Sequence, residues 1–384
     1  MNEIFKIKQE CCGCRACENA CPRGCIMMKR DAEGFLYPSV DEKNCVNCKI
    51  CLSVCPFRAG RKKADVISTY AAAALSDEER FRSSSGAVFF LLAQEMIQHG
   101  GIVYGTSLSS DCRKAFVTSA GDLQSLDALL GSKYVQSDTG ISYREVKKHL
   151  LSGRQILYSG TPCQIGGLKK YLGRDYENLL CADLICHGVP SPALWEKYVR
   201  SAEKKYHGTV TKVNFRCKDK GWKSFGIKVS VGRKGRYFPK EIDPYMQMFL
   251  KNDCLRPSCY ACRIKGHSAA DMTLGDFWGV EDVSPEFNDG KGTSLVILRT
   301  DKGKRWFDQI SEFCRSQTCD YERAIKKNRA ELHSVSAPPE RETLFEDMDQ
   351  MTFDQLSKKY LEPQWKRKLK MLRTVCFQRQ HTLS

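Results

Sequence analysis

The sequence contains no apolar run long enough to cross a bilayer, which requires about 20 consecutive apolar residues. The apolar run at residues 86–92 is much shorter than that. The chain begins Met1-Asn2-Glu3, without the apolar core of a secretory signal peptide. These two absences predict a cytoplasmic protein without a transmembrane segment.

A strong compositional bias is also absent, with 42% hydrophobic and 28% charged residues, as in ordinary soluble globular proteins. The length of 384 residues suits two or three domains. The exception is cysteine, of which there are 21. Disulfides are rare in the reducing cytosol, so clustered thiols indicate metal binding. Ten of these 21 cysteines lie within residues 11–55, which predicts a metal-binding module at the N-terminus.

One cysteine motif occurs twice, at an offset of 34 residues. Each copy has the pattern C-x2-C-x2-C-x3-C-P, and the copies begin at Cys11 and Cys45. In bacterial ferredoxins the first three cysteines of this pattern bind one 4Fe-4S cluster, and the fourth reaches the other cluster. Zinc sites use paired C-x2-C knuckles and need no third cysteine in register. The repeat therefore predicts two 4Fe-4S clusters and a role in electron transfer.

The crossed pattern assigns four ligands to each predicted cluster. The first cluster is expected on Cys11, Cys14, Cys17 and Cys55. The second cluster is expected on Cys21, Cys45, Cys48 and Cys51. Cys12 and Cys25 fall outside the register, and both are predicted to be small buried residues.

Residues 1–62 are thus predicted to form a ferredoxin-type domain, followed by a linker at 63–82 that is Ala-rich and helical over 71–82. From residue 83 to residue 340, predicted strands and helices alternate. Alternation of this kind predicts an α/β domain with a mixed sheet.

A basic, helical C-terminal segment is predicted over 341–384. Its part at 361–379 is amphipathic, with apolar residues at helical spacing among Lys and Arg. Such a helix either docks on a membrane surface or a partner, or packs on its own domain. The second interpretation is the simpler one.

A third cysteine group, Cys254-x4-Cys259-x2-Cys262, has a spacing that also occurs in plant-type ferredoxins, where the fourth ligand is distant. Cys186 and Cys163 are candidates for the fourth ligand, because both follow predicted strands. Of the two, Cys186 is predicted to complete the group. A zinc site or simple buried thiols remain alternatives for this group. Cys181, in mid-strand among apolar residues, is predicted to be core.

Several short motifs follow in a fixed order. They are 83–86 (SSSG), 131–137 (GSKYVQS), 159–168 (SGTPCQIGGL), 183–191 (DLICHGVPS) and 274–279 (LGDFWG). With the cysteine groups, they resemble the beta subunit of coenzyme F420 hydrogenase/dehydrogenase, in the version with an N-terminal two-cluster ferredoxin domain. The resemblance extends from about residue 11 to about residue 298.

The resemblance implies an FAD in the large domain, with an iron–sulfur cluster beside it. Such proteins pass electrons between a flavin and clusters, and the flavin exchanges hydride with a small two-electron substrate, which is coenzyme F420 in archaeal relatives. The expected partner is a soluble ferredoxin or a partner redox subunit. An adaptor that connects another enzyme to ferredoxin, without a substrate of its own, is the alternative.

Two turns are predicted to contact the FAD. Serine and glycine at a helix start offer free N–H groups to phosphate, although simple helix capping explains the same residues. The predicted flavin contacts are Ser84, Ser85, Gly86, Lys133, Thr161, Pro162, Cys163 and Gln164. The lysine in this set would stabilise an anionic reduced flavin, or it is a surface lysine.

Three further residues near these turns have open roles. Ala87 stands where the family usually has a second glycine, so a close backbone approach at this loop is in question. His187 either relays protons or is a structural histidine. Asp276 is a hydrogen-bonding or capping group.

The formal net charge of +16 overstates the basic character of the loaded protein. An oxidised 4Fe-4S cluster with four thiolates carries about −2, because its ligands are deprotonated. Three clusters and one flavin dinucleotide would lower the charge to roughly +8. The charge alone therefore does not predict nucleic-acid binding.

Overall fold

The computed structural model describes residues 4–58, 65–363 and 366. The strands of the described residues are β1 (Ile26–Arg30), β2 (Leu36–Val40), β3 (Ser68–Ala74), β4 (Ile102–Leu108), β5 (Ala115–Ala120), β6 (Ser137–Asp138), β7 (Ile156–Gly160), β8 (Leu179–Leu184), β9 (Val210–Cys217), β10 (Gly226–Val231), β11 (Lys234–Pro239), β12 (Met272–Asp276), β13 (Ser294–Leu298) and β14 (Cys314–Thr318). The helices are α1 (Ala16–Ala20), α2 (Ile50–Ser53), α3 (Asp77–Arg82), α4 (Val88–Gln98), α5 (Leu123–Leu126), α6 (Ser142–Leu151), α7 (Pro162–Leu172), α8 (Pro192–Tyr206), α9 (Pro244–Leu250), α10 (Val280–Val283), α11 (Asp301–Gln309), α12 (Tyr321–Ile325), α13 (Arg341–Gln350) and α14 (Phe353–Tyr360).

A nine-stranded mixed sheet lies at the centre of the large domain, in the order β14-β3-β13-β12-β8-β7-β4-β5-β6. The four strands β12, β8, β7 and β4 run parallel to one another. Antiparallel strands flank them on both sides. The predicted α/β class with a mixed sheet is confirmed. Because parallel strands end at the same edge, the loops after these four strands meet there.

Two helices begin at this edge. At the start of α7, the Thr161 N–H donates to the Gln164 side-chain oxygen at 2.9 Å, which fixes the turn after β7. At the start of α4, Ala87 has a left-handed φ of 69°. This conformation costs an L-residue about 1–2 kcal/mol and suits glycine, which explains the family preference at this position.

The predicted linker at 63–82 is not a linker where the structure describes it. Residues 68–74 form β3, which pairs with β13 on one side and with β14 on the other. The alanines at 71–74 have high helix propensity, but all four are buried within the sheet, and tertiary pairing overrides the propensity. The helical prediction holds only for α3. Residues 63 and 64 lie outside the described residues.

The chain after residue 341 is part of the large domain as far as it is described. The ring of Phe353 in α14 meets the ring of Tyr198 in α8 at 5.2 Å. Leu344 and Leu356 are fully buried in the same core. Most of the predicted amphipathic helix at 361–379 lies outside the described residues. Within the described residues, no helix has the length and apolar character needed to cross a membrane.

Candidate iron–sulfur and cofactor sites

The first thiol group, called set one, consists of Cys11, Cys14, Cys17 and Cys55. Burial raises the pKa of Cys17, and the nearby thiols of Cys11 and Cys55 raise it further. Cys14 lies close enough to Cys17 and Cys55 to interact with their charges. The structure therefore brings the fourth cysteine of the second motif copy to the first three of the first copy.

The second group, set two, surrounds a cavity of about 200 Å³. Its members are Cys21, Cys45, Cys48 and Cys51. Cys25 is buried as predicted, but it also lines this cavity, with its sulfur 3.4 Å from that of Cys21. Cys48 is exposed. The crossed grouping of set one and set two is the one that the motif spacing predicts.

A third group, set three, lines a cavity between the large domain and the ferredoxin-type domain. Its members are Cys163, Cys186, Cys259 and Cys262. Burial raises the pKa of Cys186 to about 12, which Lys265 opposes and the thiols of Cys163 and Cys262 reinforce. The N–H of Val189 is 3.4 Å from the Cys259 sulfur. Thiols with such raised pKa values need a bound cation to become thiolates, as the irons of a cluster provide.

Cys254, predicted as a ligand of this group, lies elsewhere. It is fully buried in the apolar core around α8 and α9 and does not line the thiol cavity. Its carbonyl accepts from the Ser191 N–H at 2.8 Å, and Leu255 forms a β-bridge with Pro190. This pairing fixes the backbone at residue 254 in the core, away from the thiols. Cys163 and Cys186, the two candidates for the fourth ligand, both line the cavity.

Within residues 4–58, 65–363 and 366, no three His, Cys, Asp or Glu side chains converge closely enough to hold one ion. Sets two and three instead surround cavities, as ligands of a multi-iron cluster do.

A larger cavity of about 570 Å³ opens at the carboxyl edge of the parallel strands. The predicted flavin contacts that line it are Ser84, Ser85, Lys133, Thr161 and Gln164. Pro162 and Cys163 instead line the thiol cavity. Gly86 lies below the large cavity, where its N–H donates to the Ser294 hydroxyl at 3.0 Å. A Cβ at Gly86 would stand 2.2 Å from the Ala72 carbonyl oxygen, so its glycine serves packing against the sheet.

The large cavity has a basic part, and the carboxylates of Asp183 and Asp276 also line it. Lys133, Lys223 and Lys240 line it, and α4 and α7 point their N-termini towards it. The Lys133 ammonium donates to the carbonyl oxygens of Ala128 at 3.0 Å and Leu130 at 2.8 Å. Burial lowers the pKa of Lys133 to about 7. An anion in the cavity would keep this lysine charged, and a diphosphate is such an anion.

Apolar surface is exposed inside the same cavity. Leu184, at the end of β8, and Leu250, at the end of α9, are each 40% exposed, and both line it. Phe249 and Trp278 complete this wall. A volume of this size, with a basic part and an apolar part, fits a flavin dinucleotide.

Two residues with open roles have definite partners. His187 has a ring nitrogen 2.6 Å from the Asn252 side-chain oxygen, and burial lowers the pKa of this histidine. Asp276 accepts from the indole N–H of Trp222 at 3.1 Å and pairs with Arg216 at 2.9 Å. Both line the large cavity.

The thiol cavity and the large cavity share one wall. The shared residues are Asp183, Leu184, Cys186, His187, Gly188 and Val189. They form the end of β8 and the loop after it. The motif DLICHGV in the sequence is therefore the partition between the two cavities.

Three residues of the thiol cavity have no role there that the sequence predicted. Cys12 lies in hydrogen-bonding contact with both Cys14 and Cys163, so it joins set one to set three. Arg256 is fully buried beside both sets. Asp183 is fully buried, and burial raises its pKa to about 7. Of the three, only Arg256 could have been linked to the thiols from sequence, because it lies between Cys254 and Cys259.

Two known protein families match separate parts of the chain. Residues 153–323 match the family described as the C terminus of the beta subunit of coenzyme F420 hydrogenase/dehydrogenase. Residues 10–59 match the 4Fe-4S dicluster domain family. The chain is therefore an iron–sulfur electron-transfer protein of the oxidoreductase type. It is related to the beta subunits of F420 hydrogenase/dehydrogenase, and it also carries a two-cluster domain.

Individual relatives cover different shares of the chain. The F component of the F420H2 dehydrogenase of Methanosarcina mazei is 23% identical over 322 residues, which are 79% of this chain and 82% of that protein. An uncharacterized ferredoxin of Methanocaldococcus jannaschii is 37% identical over 57 residues, 15% of this chain and 73% of that protein. A chain of the F420-reducing NiFe hydrogenase complex from Methanosarcina barkeri superposes with a TM-score of 0.46 at 16% identity, covering 77% of this chain and 91% of that chain.

Proposed function

We propose that this protein is an FAD- and iron–sulfur-dependent oxidoreductase that exchanges electrons between a two-electron substrate and a one-electron partner. The observation that supports this most strongly is the shared wall after β8. Cys186 belongs to that wall and to set three, so a cofactor in the large cavity would lie next to a cluster on set three. Adjacent two-electron and one-electron sites are what such an exchange requires.

The proposed cofactors are FAD in the large cavity and three 4Fe-4S clusters, one on each thiol set. When bound, FAD supplies two-electron chemistry, and the clusters supply one-electron chemistry. The residues of this chain bind and orient them. Ser84, Ser85 and Lys133 suit the diphosphate, and the wall around Leu184 suits the flavin ring.

The thiol sets form a series through the molecule. Set three shares a wall with the large cavity and touches set one through Cys12. Set one shares the ferredoxin-type domain with set two, where Cys48 is exposed. This order places the large cavity at one end and an exposed cluster site at the other, which is suited to a soluble ferredoxin or a partner redox subunit.

The substrate end is proposed to accept coenzyme F420 or another two-electron compound. Support comes from the family match and from the relative that is named as part of an F420H2 dehydrogenase. Lys223 and Lys240 also line the cavity, and their ammonium groups suit an anionic substrate.

An anaerobic count of iron, acid-labile sulfide and flavin per chain tests the proposal, together with absorption spectra before and after dithionite. The expected result is about 12 iron atoms and one FAD. About eight iron atoms without flavin would contradict it and would favour the adaptor without a substrate of its own.

A matched pair of variants tests the ligands of set three. Cys259→Ala should lose about four iron atoms, because it removes a proposed ligand. Cys254→Ala should keep all the iron, because its thiol lies in the apolar core. Iron loss in both variants would instead support the ligand set predicted from spacing, which contains both cysteines.

A further inference from the structure

Arg256 lies at the junction between set one and set three. Its side chain is fully buried. The Nε–H donates to the Cys11 carbonyl oxygen at 2.8 Å. The same guanidinium lines the thiol cavity and is close enough to interact with the charge of Cys259. One buried cation therefore faces ligands of two different thiol sets.

The remaining contacts of Arg256 are neutral. One terminal nitrogen donates to the Gln136 side-chain oxygen at 3.0 Å, and the other donates to the Leu36 carbonyl oxygen at 2.9 Å. The ring of Tyr37 lies 4.2 Å from the guanidinium carbon. Among the described residues, no carboxylate forms an ion pair with Arg256. A fully buried cation without a counter-anion is costly, so its position implies that an anion is present in the assembled protein.

The backbone of set one is shaped around this side chain. Gly13 has a φ of +73°, and a Cβ built on it would stand 2.8 Å from a terminal nitrogen of Arg256. A larger residue at position 13 would displace the guanidinium. The loop between the first two ligands of set one therefore accommodates this arginine closely.

We propose that Arg256 is a positioning residue whose charge is shared by the clusters on set one and set three and raises the reduction potential of both. This rests on the proposed function, because it requires a cluster on set three. Reduction adds one electron to a cluster, makes it more negative by one charge, and needs no proton in this scheme. A fixed cation stabilises the more negative form in a buried site.

Set two provides the internal reference. The basic residues that line its cavity, Arg23 and Lys49, are exposed, so solvent and salt screen their charge. Neutralising Arg256 should therefore shift two of the three potentials and leave the third unchanged.

The test is a potentiometric titration of the holoprotein, followed by EPR, on Arg256→Gln and Arg256→Lys. The Gln variant removes the charge and can still donate to the Cys11 carbonyl, whereas the Lys variant keeps the charge. In Arg256→Gln, two potentials should fall by roughly 59 mV, a tenfold shift of a one-electron equilibrium. In Arg256→Lys they should stay near the wild-type values. Arg263→Gln is the control, because Arg263 donates to the Phe57 carbonyl in the same interface but is partly exposed.

Full iron with unchanged potentials in Arg256→Gln would overturn the proposal. If Arg256→Gln loses iron, the potentials of Arg256→Lys test the proposal instead. Wild-type potentials in Arg256→Lys would support the role of the charge, and lowered potentials would contradict it. Failure of the proposed function is distinguishable, because wild-type protein would then contain about eight iron atoms and show no third cluster signal.

Discussion

The two copies of the cysteine motif have the same spacing but opposite surroundings. In set one, three backbone carbonyls of the ligand loop, those of Cys11, Cys12 and Cys14, accept hydrogen bonds from the large domain. Their donors are Arg256, Gln136 and Thr139. In set two, Cys48 is exposed, and its apolar neighbours Val46 and Ile50 are 59% and 39% exposed.

This difference makes the two ends of the ferredoxin-type domain unequal, because set one faces the large domain and set two is exposed. The motif determines which cysteines can bind a cluster, and both copies do so equally. Residues outside the motif determine which cluster site faces the rest of the protein. If both sets bind clusters as proposed, the electron path has its inner end at set one and its outer end at set two.

The largest effect is expected when a ligand is removed from each end. Cys14→Ala and Cys48→Ala should each lose about four iron atoms. Cys14→Ala should also lower the free energy of unfolding of the whole chain by about 4 kcal/mol, because set one is part of the domain interface. Cys48→Ala should leave unfolding of the large domain unchanged. Anaerobic denaturant titrations with iron counts measure both, and equal destabilisation would remove the contrast between the two ends.

A smaller effect is expected from crowding the inner end alone. Gly167 in α7 packs on set one, where a Cβ would stand 2.8 Å from the Cys14 sulfur. Gly167→Ala should therefore destabilise the protein by about 2 kcal/mol. Gly121→Ala is the control, because nothing lies within 4 Å of its added Cβ. Equal effects of the two substitutions in denaturant titrations would contradict the close packing of Gly167 on set one.

Lys133 in the large cavity predicts that the stability of the protein depends on pH. The pKa of Lys133 is about 7 in the folded protein, below its usual value of about 10.4. Between these values the unfolded chain binds more protons, so stability rises with pH by up to about 1.4 kcal/mol per unit. Lys133→Met should remove this slope in flavin-free protein, whereas exposed Lys114→Met should keep it. Parallel slopes for Lys133→Met and wild type would contradict the burial of a neutral lysine.

The smallest effect concerns the backbone of the same cavity. Ala87→Gly should stabilise the protein by about 1 kcal/mol, because it relieves a left-handed alanine at the start of α4. Gly173→Ala, at the end of α7 with a φ of +73° and open space around it, should destabilise by a similar amount. Thermal unfolding compares the two variants, and a destabilised Ala87→Gly would contradict this interpretation.

The sequence predicted well where the determining contacts are local. The ligand spacing of sets one and two needs only a few residues of chain, and the structure groups these cysteines as the motif implies. It predicted poorly where distant chain segments decide. Cys254 has a ligand-like spacing to Cys259, but its pairing with Ser191 fixes it in the core. The alanines of β3 look helical, but β13 and β14 hold them extended.

The sequence by itself determined two complete sets of thiols, a third partial set, the turns at the helix starts and the resemblance to F420 hydrogenase/dehydrogenase beta subunits. Only the tertiary structure decided which thiols complete set three, which cluster site faces inward, and where the buried charge of Arg256 lies. The reason is physical. Ligand type and spacing are local properties of the chain, whereas burial, charge pairing and the meeting of strand ends depend on segments that are far apart in sequence.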